Sequence, residues 1–249
     1  MKKLLVVMVG VFMLAVATTA FAEVKTTIGV KAWANKWDMK QEDTTGYSKT
    51  WDNGNALMVG PSLNVRFGDH FFVGANYLKS TKDYESSNWA STTDNMAFER
   101  TDIDVTMGVM FSSHFGMFVG YKSIDAPTTY SDSANGIAKR DNGTWTMKGP
   151  GLGLVASIPL GSSAAIYGNL AFMKMKDEWT SPSGASTTAY DKTGGTLELG
   201  VAVAFSQHFS STLGYKIQSF TGDEGTTSGI TDSLTHTFTG ATVGLNLTF

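Results

Sequence analysis

Arg100, Asp102 and Asp104 stand at alternate positions, and Lys122 follows one short turn later. Side chains two apart share one face of a β-strand, so this spacing offers either a salt-bridged cluster or a charged filter. A hairpin symmetric about Ser113 sets Asp104 opposite Lys122, and one symmetric about Gln207 sets Glu198 opposite Lys216. Both lysines close the same tripeptide, Gly120-Tyr-Lys122 and Gly214-Tyr-Lys216. An internal ionic layer built from Arg100, Asp102, Asp104, Lys122, Glu198 and Lys216 is therefore expected. In a narrow space such charges persist only when paired, and the pairs then act as a plug. In a wider one they select permeating solutes. Whether Lys31, Arg66, Arg100, Lys122 and Lys216 find carboxylates separates the two cases.

No catalytic residue, metal site or cofactor is expected. His70, His114 and His208 fall at turn tips. His236, with Asp232 and Ser233 nearby, is the one group resembling a hydrolase constellation, and closeness in sequence is not the hydrogen-bonded geometry that a nucleophile and base need. The paired aspartates and Asp/His couple of ten-stranded outer-membrane proteases are not found. Asp132-Ser-Ala-Asn-Gly136 and Asp223-Glu224 read as solvated turns. Asp52-Asn53-Gly54 and Asp141-Asn142-Gly143 read as turn signals at loop ends.

The elements that position these charges are strands. Alternating segments run near 25–37, 54–67, 71–81, 98–111, 115–124, 146–159, 164–177, 195–205, 209–218 and 236–249. Short turns at 68–70, 112–114, 160–163 and 206–208 take turns with five polar connections, around 38–53, 82–97, 125–145, 178–194 and 219–235. That asymmetry predicts an all-β, antiparallel up-and-down transmembrane barrel of ten strands, with eight or twelve as alternatives. Short turns would face the periplasm and five long loops the exterior. Parity turns many glycines inward, among them Gly29, Gly108, Gly120 and Gly214, so a narrow water path is not closed off by sequence alone. Gly60-Pro61 and Gly149-Pro150 predict bulges or kinks, because proline cannot donate to a ladder.

Three of the turns are near copies, Phe67-Gly-Asp-His-Phe71, Phe111-Ser-Ser-His-Phe115 and Phe205-Ser-Gln-His-Phe209. With Phe249 these phenylalanines predict a periplasmic aromatic girdle. The six tryptophans, Trp33, Trp37, Trp51, Trp89, Trp145 and Trp179, lie at the other strand ends or in the long connections and are expected to form the second aromatic population. Met1-Lys2-Lys3, the apolar run Leu4–Val16 and Ala20-Phe21-Ala22 predict a cleaved signal peptide over 1–22, leaving one barrel domain over 23–249. The chain has no cysteine, so no disulfide framework holds it. Its net charge of −3 argues against a nucleic-acid partner.

The signal peptide, alternating strands, turn pattern and terminal Phe249 resemble small outer-membrane β-barrel proteins of Gram-negative bacteria, the OmpA/OmpX-like and porin-like group. The resemblance covers the mature chain and implies an outer-membrane location. It implies outer-membrane lipid and lipopolysaccharide as surroundings, and the barrel-assembly machinery as partner of the last strand. No peptidoglycan-binding domain follows the barrel, so a cell-wall tether is not expected. Three functions follow: a structural or surface-interaction barrel with a largely filled lumen and an unidentified extracellular ligand, a narrow porin-like channel, or a rim-located hydrolase. The first is preferred because a ten-stranded barrel lies near the side-chain-filled end of the size range.

Overall fold

Alternation of apolar and polar residues carries almost the whole chain into strands. The computed structural model describes residues 23–87, 94–185, 189–227 and 230–249. The signal segment 1–22 and Trp89 lie outside the described residues. Twelve strands follow in order: β1 (Val24–Asp43), β2 (Ser48–Phe67), β3 (Phe71–Ser80), β4 (Tyr84–Ser87), β5 (Asp94–Phe98), β6 (Thr101–Met110), β7 (Phe115–Asp132), β8 (Ile137–Pro159), β9 (Ala164–Thr180), β10 (Tyr190–Ala204), β11 (Phe209–Thr227) and β12 (Ile230–Thr248). All pairings are antiparallel. β1 pairs with β2 on one side and β12 on the other, so ten strands close into a barrel with no free edge. Closure leaves none of these ten strands at an edge, whereas the short β4 pairs on one side only.

β4 and β5 pair with each other, and β5 also pairs with β7 beyond the end of β6. They continue β3 and β6 past short breaks, so the connection expected over 82–97 is in part ordered sheet. The other long connections likewise contain sheet. β1 and β2 run on to a four-residue tip at 44–47, and β7 and β8 to a tip at 133–136. The polar composition there marks strand surfaces exposed to water on one face, not irregular loops.

The Gly-Pro expectation is overturned. Register is unchanged across Pro61, from Val59↔Lys79 to Ser62↔Asn76, and across Pro150, from Lys148↔Lys176 to Gly151↔Met173. The ladder is interrupted there on one side only. A Cβ on Gly60 would lie 1.9 Å from the Tyr77 carbonyl oxygen, and one on Gly149 2.0 Å from that of Lys174. Close backbone approach at the glycine replaces a bulge. Register shifts occur instead between Lys36 and Asp38 opposite Asn53-Gly54, and between Thr128 and Thr129 opposite Asn142-Gly143. Both Asp-Asn-Gly motifs are thus mid-strand bulges, with φ of +78° at Gly54 and +108° at Gly143. The aspartate carboxylate caps each one, accepting from the glycine N–H at 2.8 Å. A left-handed glycine serves a hairpin turn or a bulge equally, which is why the motif alone misplaced them.

Candidate functional site

The lumen is layered from the short-turn end upward. A cavity of about 340 Å³ comes first, lined by groups such as Asn64, Asn76, Tyr167, Asn169 and Asn246. The ionic layer forms its upper wall, Lys31, Asp104, Lys122, Glu198 and Lys216 all lining it. Asp104 pairs with Lys122 and Glu198 with Lys216 in Cα register, as the hairpin symmetry predicts. The side chains arrange themselves more widely. Asp102, 1% exposed, receives Arg100 Nε and Nη2 at 2.7 Å each and Lys122 Nζ at 2.9 Å. Lys122 also donates to Asp104 Oδ1 at 2.9 Å. Glu198 accepts from Lys31 at 2.8 and 2.9 Å, and from the Tyr167 and Thr242 hydroxyls at 3.0 Å.

The ion partner of Glu198 is therefore Lys31 of β1, not Lys216. Hairpin symmetry sees only sequence neighbours, whereas closure brings β1 across the lumen to β10. Lys216 Nζ instead lies 4.7 Å from the Trp33 ring centroid, a cation-π contact. Arg100 likewise stacks its guanidinium 3.7 Å from the Phe238 centroid. Of the five cations singled out from sequence, Lys31, Arg100 and Lys122 have carboxylate partners. Arg66 lies exposed at the short-turn mouth.

Above the ions the lumen is filled by an apolar core. Trp33, Trp37, Phe238, Phe220, Met58, Met147, Met175 and Ile124 are all 0% exposed, and β4 and β5 add Tyr84, Met96 and Phe98. Trp37 stacks on Trp145 at 5.3 Å between centroids and meets Phe98 at 4.8 Å. Tyr84 donates to Asn35 Oδ1 at 2.8 Å. The five described tryptophans do not form a second outward population: Trp33, Trp37 and Trp145 are buried inside, and Trp51 and Trp179 pack against the same core. Parity held the signal, because Trp33 and Trp37 share the face of the inward Gly29 and Lys31.

At the long-loop end a second cavity, of about 160 Å³, is lined by Trp37, Met39, Met96, Trp145, Trp179 and Leu234, with Asp177, Glu224 and His236. His236 is 1% exposed and stacks on Trp145 at 4.6 Å and 23°. Its Nε2 lies 3.5 Å from Asp177 Oδ2. Trp145 Nε1 donates to Asp177 Oδ1. Lys192, 0% exposed, bonds Glu224 and lies 3.7 Å from Asp177 Oδ2. Sequence reasoning missed Asp177 because parity was not followed from Met173 to the end of the expected strand 164–177, and missed Lys192, which shares the parity of Glu198, because it began β10 at 195, too late to include it. The hydrolase grouping is not assembled. Ser233 is an odd number of residues from His236 and faces the other side of β12, and the carboxylate beside His236 is Asp177. Glu224 is an ion partner rather than part of a solvated turn, whereas Asp132 does hold a turn, accepting from the Ala134 N–H at 3.0 Å. His70 and His208 reach neighbouring strands, Nδ1 donating to the Met110 carbonyl at 3.4 Å and to the Thr248 carbonyl at 2.9 Å, whereas the His114 ring bonds Ser113 in its own turn.

The outer wall is sorted into two zones. Exposed apolar side chains such as Ile28, Leu63, Val105, Leu154, Phe172, Leu199 and Leu245 ring the barrel on its short-turn half. Phe111, Phe115, Phe205, Phe209 and Phe249 are exposed at that end, and Phe67 and Phe71 are half-buried beside them. Toward the long-loop end, outward ion pairs take over, including Lys36–Asp38, Lys36–Asp52, Lys79–Glu99 and Lys176–Asp191.

No protein-family model and no curated protein matches the sequence. Among solved structures, the outer membrane protease OmpT from Escherichia coli superposes with a TM-score of 0.56 at 12% identity, over 93% of this chain and 100% of that one. Neisserial surface protein A gives a TM-score of 0.38 at 10% identity, over 89% and 97%. The P. putida toluene transporter TodX gives 0.37 at 11%, over 94% and 92%. Only the first likeness bears on the fold, which is that of an outer-membrane β-barrel.

Proposed function

We propose that this chain is an outer-membrane β-barrel, exported by its first 22 residues, whose lumen is closed by side chains and which works as a surface-interaction protein through its long-loop end. The observation that carries the reading is the apolar core lying across the lumen above the paired ions, with Trp33, Trp37, Phe220 and Phe238 fully buried. A solute path would have to displace these side chains. The apolar outer zone supports a membrane on the short-turn half. About ten residues of strand cross the apolar layer, whereas β1 alone has 20, so the barrel would stand well clear of the lipid and carry its ion-paired wall into the lipopolysaccharide and beyond. Phe249 would close the strand that the assembly machinery reads. The chain's role is binding, not catalysis: His236 is buried beneath Trp145, with Ser233 turned away.

The lack of cysteine gives a clean test. Single thiols at the exposed tips, Thr44→Cys and Ala134→Cys, are expected to react with a membrane-impermeant maleimide on intact cells. Asp69→Cys and Ser162→Cys, at the short turns, are expected to react only after the outer membrane is opened. The opposite pattern, or absence of the protein from the outer-membrane fraction, overturns the reading.

A further inference from the structure

The upper cavity sets two carboxylates against one ammonium. Five titratable side chains converge on it from four strands: Asp177 of β9, Tyr190 and Lys192 of β10, Glu224 of β11 and His236 of β12. The faces of β1, β5 and β8 that complete it supply Trp37, Met39, Met96, Phe98 and Trp145 and no charge. Two carboxylates share one ammonium, and Asp177 takes the weaker share: Lys192 Nζ and His236 Nε2 lie 3.7 and 3.5 Å from its Oδ2, neither of them in hydrogen-bond geometry. Asp177 is 5% exposed, and its Oδ2 has no hydrogen-bond donor. Both ring nitrogens of His236 are also without a hydrogen-bond partner. A buried carboxylate oxygen without a donor is costly.

We propose that this cavity binds a small organic amine, with its ammonium on Asp177 Oδ2 and its body among the tryptophan and methionine side chains. This deepens the surface-binding reading above and rests on it. Indole faces attract a cation as well as an apolar body, and Trp37, Trp145 and Trp179 line the same cavity as the acid. The size is matched to one ring or a short chain, since an apolar cavity of about 150 Å³ accommodates benzene and this one is about 160 Å³. A neutral hydrocarbon would leave Asp177 Oδ2 unbonded, and an organic anion would meet two carboxylates.

The test is titration of the refolded full-length barrel with benzylamine, followed by intrinsic tryptophan fluorescence and calorimetry, with toluene and benzoate as size-matched controls. Saturable binding of benzylamine alone is expected. Asp177→Asn keeps the acceptor for Trp145 while removing the charge, and is expected to weaken binding about tenfold or more. Glu224→Gln, at a half-exposed position, frees Lys192 to turn wholly to Asp177 and is expected to weaken binding in the same direction, which keeps the test decisive if Asp177→Asn fails to fold. No saturable binding by folded wild type, equal binding of toluene, or unchanged affinity in both variants overturns the proposal. Failure here with external labelling of Thr44→Cys intact removes the amine site alone; failure of the labelling removes the surface reading beneath it.

Discussion

Asp102 serves two cations at once, which makes it the most sensitive single residue in the lumen. Neutralising it as Asp102→Asn leaves Arg100, fully buried, without an ionised partner and Lys122 with Asp104 alone. Removing one partner of a buried pair costs about 3–5 kcal/mol, and a loss of that order is expected in urea unfolding of the refolded protein. Asp104→Asn should cost clearly less, since Asp104 is 21% exposed and Lys122 keeps Asp102. Equal costs would show that the layer is not organised around Asp102. A different kind of carboxylate sits at the first hairpin tip. The Thr45 hydroxyl and the Tyr47 and Thr45 amides hold the Asp43 carboxyl below its ordinary value of 3.8. A lowered folded pKa means that the tip is stabilised above that ordinary value and loosens as pH falls through the lower one. The Tyr47 amide is expected to lose protection from exchange over that acidic range in wild type, with no such pH dependence in Asp43→Asn.

At the scale of the strands, the two capped bulges differ in their surroundings. Gly54 and Gly143 both hold positive φ, but a Cβ on Gly54 would meet nothing nearer than 3.4 Å, whereas one on Gly143 would lie 2.3 Å from the Thr180 carbonyl oxygen. Alanine at positive φ costs about 1 kcal/mol or more. Gly54→Ala is expected to show that backbone cost alone, and Gly143→Ala a larger one, by chemical unfolding of each variant; the reverse order would refute the assignment of the bulges. Short-turn strand ends were legible because aromatic pairs and glycine or serine turns punctuate them. The far ends were not. Past the apolar zone the outward face turns polar while the inward face keeps its Trp, Met and Tyr, and a strand with that composition is indistinguishable from a loop unless parity is carried through it. Carrying it through would also have placed Lys192 inside, as parity within the expected strands places Trp33, Trp37 and Asp177.

For the molecule as a whole, closure creates what no single hairpin contains. Lys31 meets Glu198 across the lumen, and the rings of β1, β5, β8 and β12 meet above them. The fold class, the ten closing strands and the register of Asp104 with Lys122 were readable from turns and alternation. The cross-lumen partners were not, because they depend on which strands face each other once the sheet is closed. The central claim is that this lumen is shut. Its most direct test is single-channel recording of refolded protein in planar bilayers, with folding shown by heat-modifiable gel mobility. Wild type is expected to be silent, and a Trp37→Ala, Phe238→Ala double variant to conduct. Steady wild-type conductance whose size or ion preference shifts in Lys122→Ala and Lys216→Ala would contradict the account and make the ionic layer a filter.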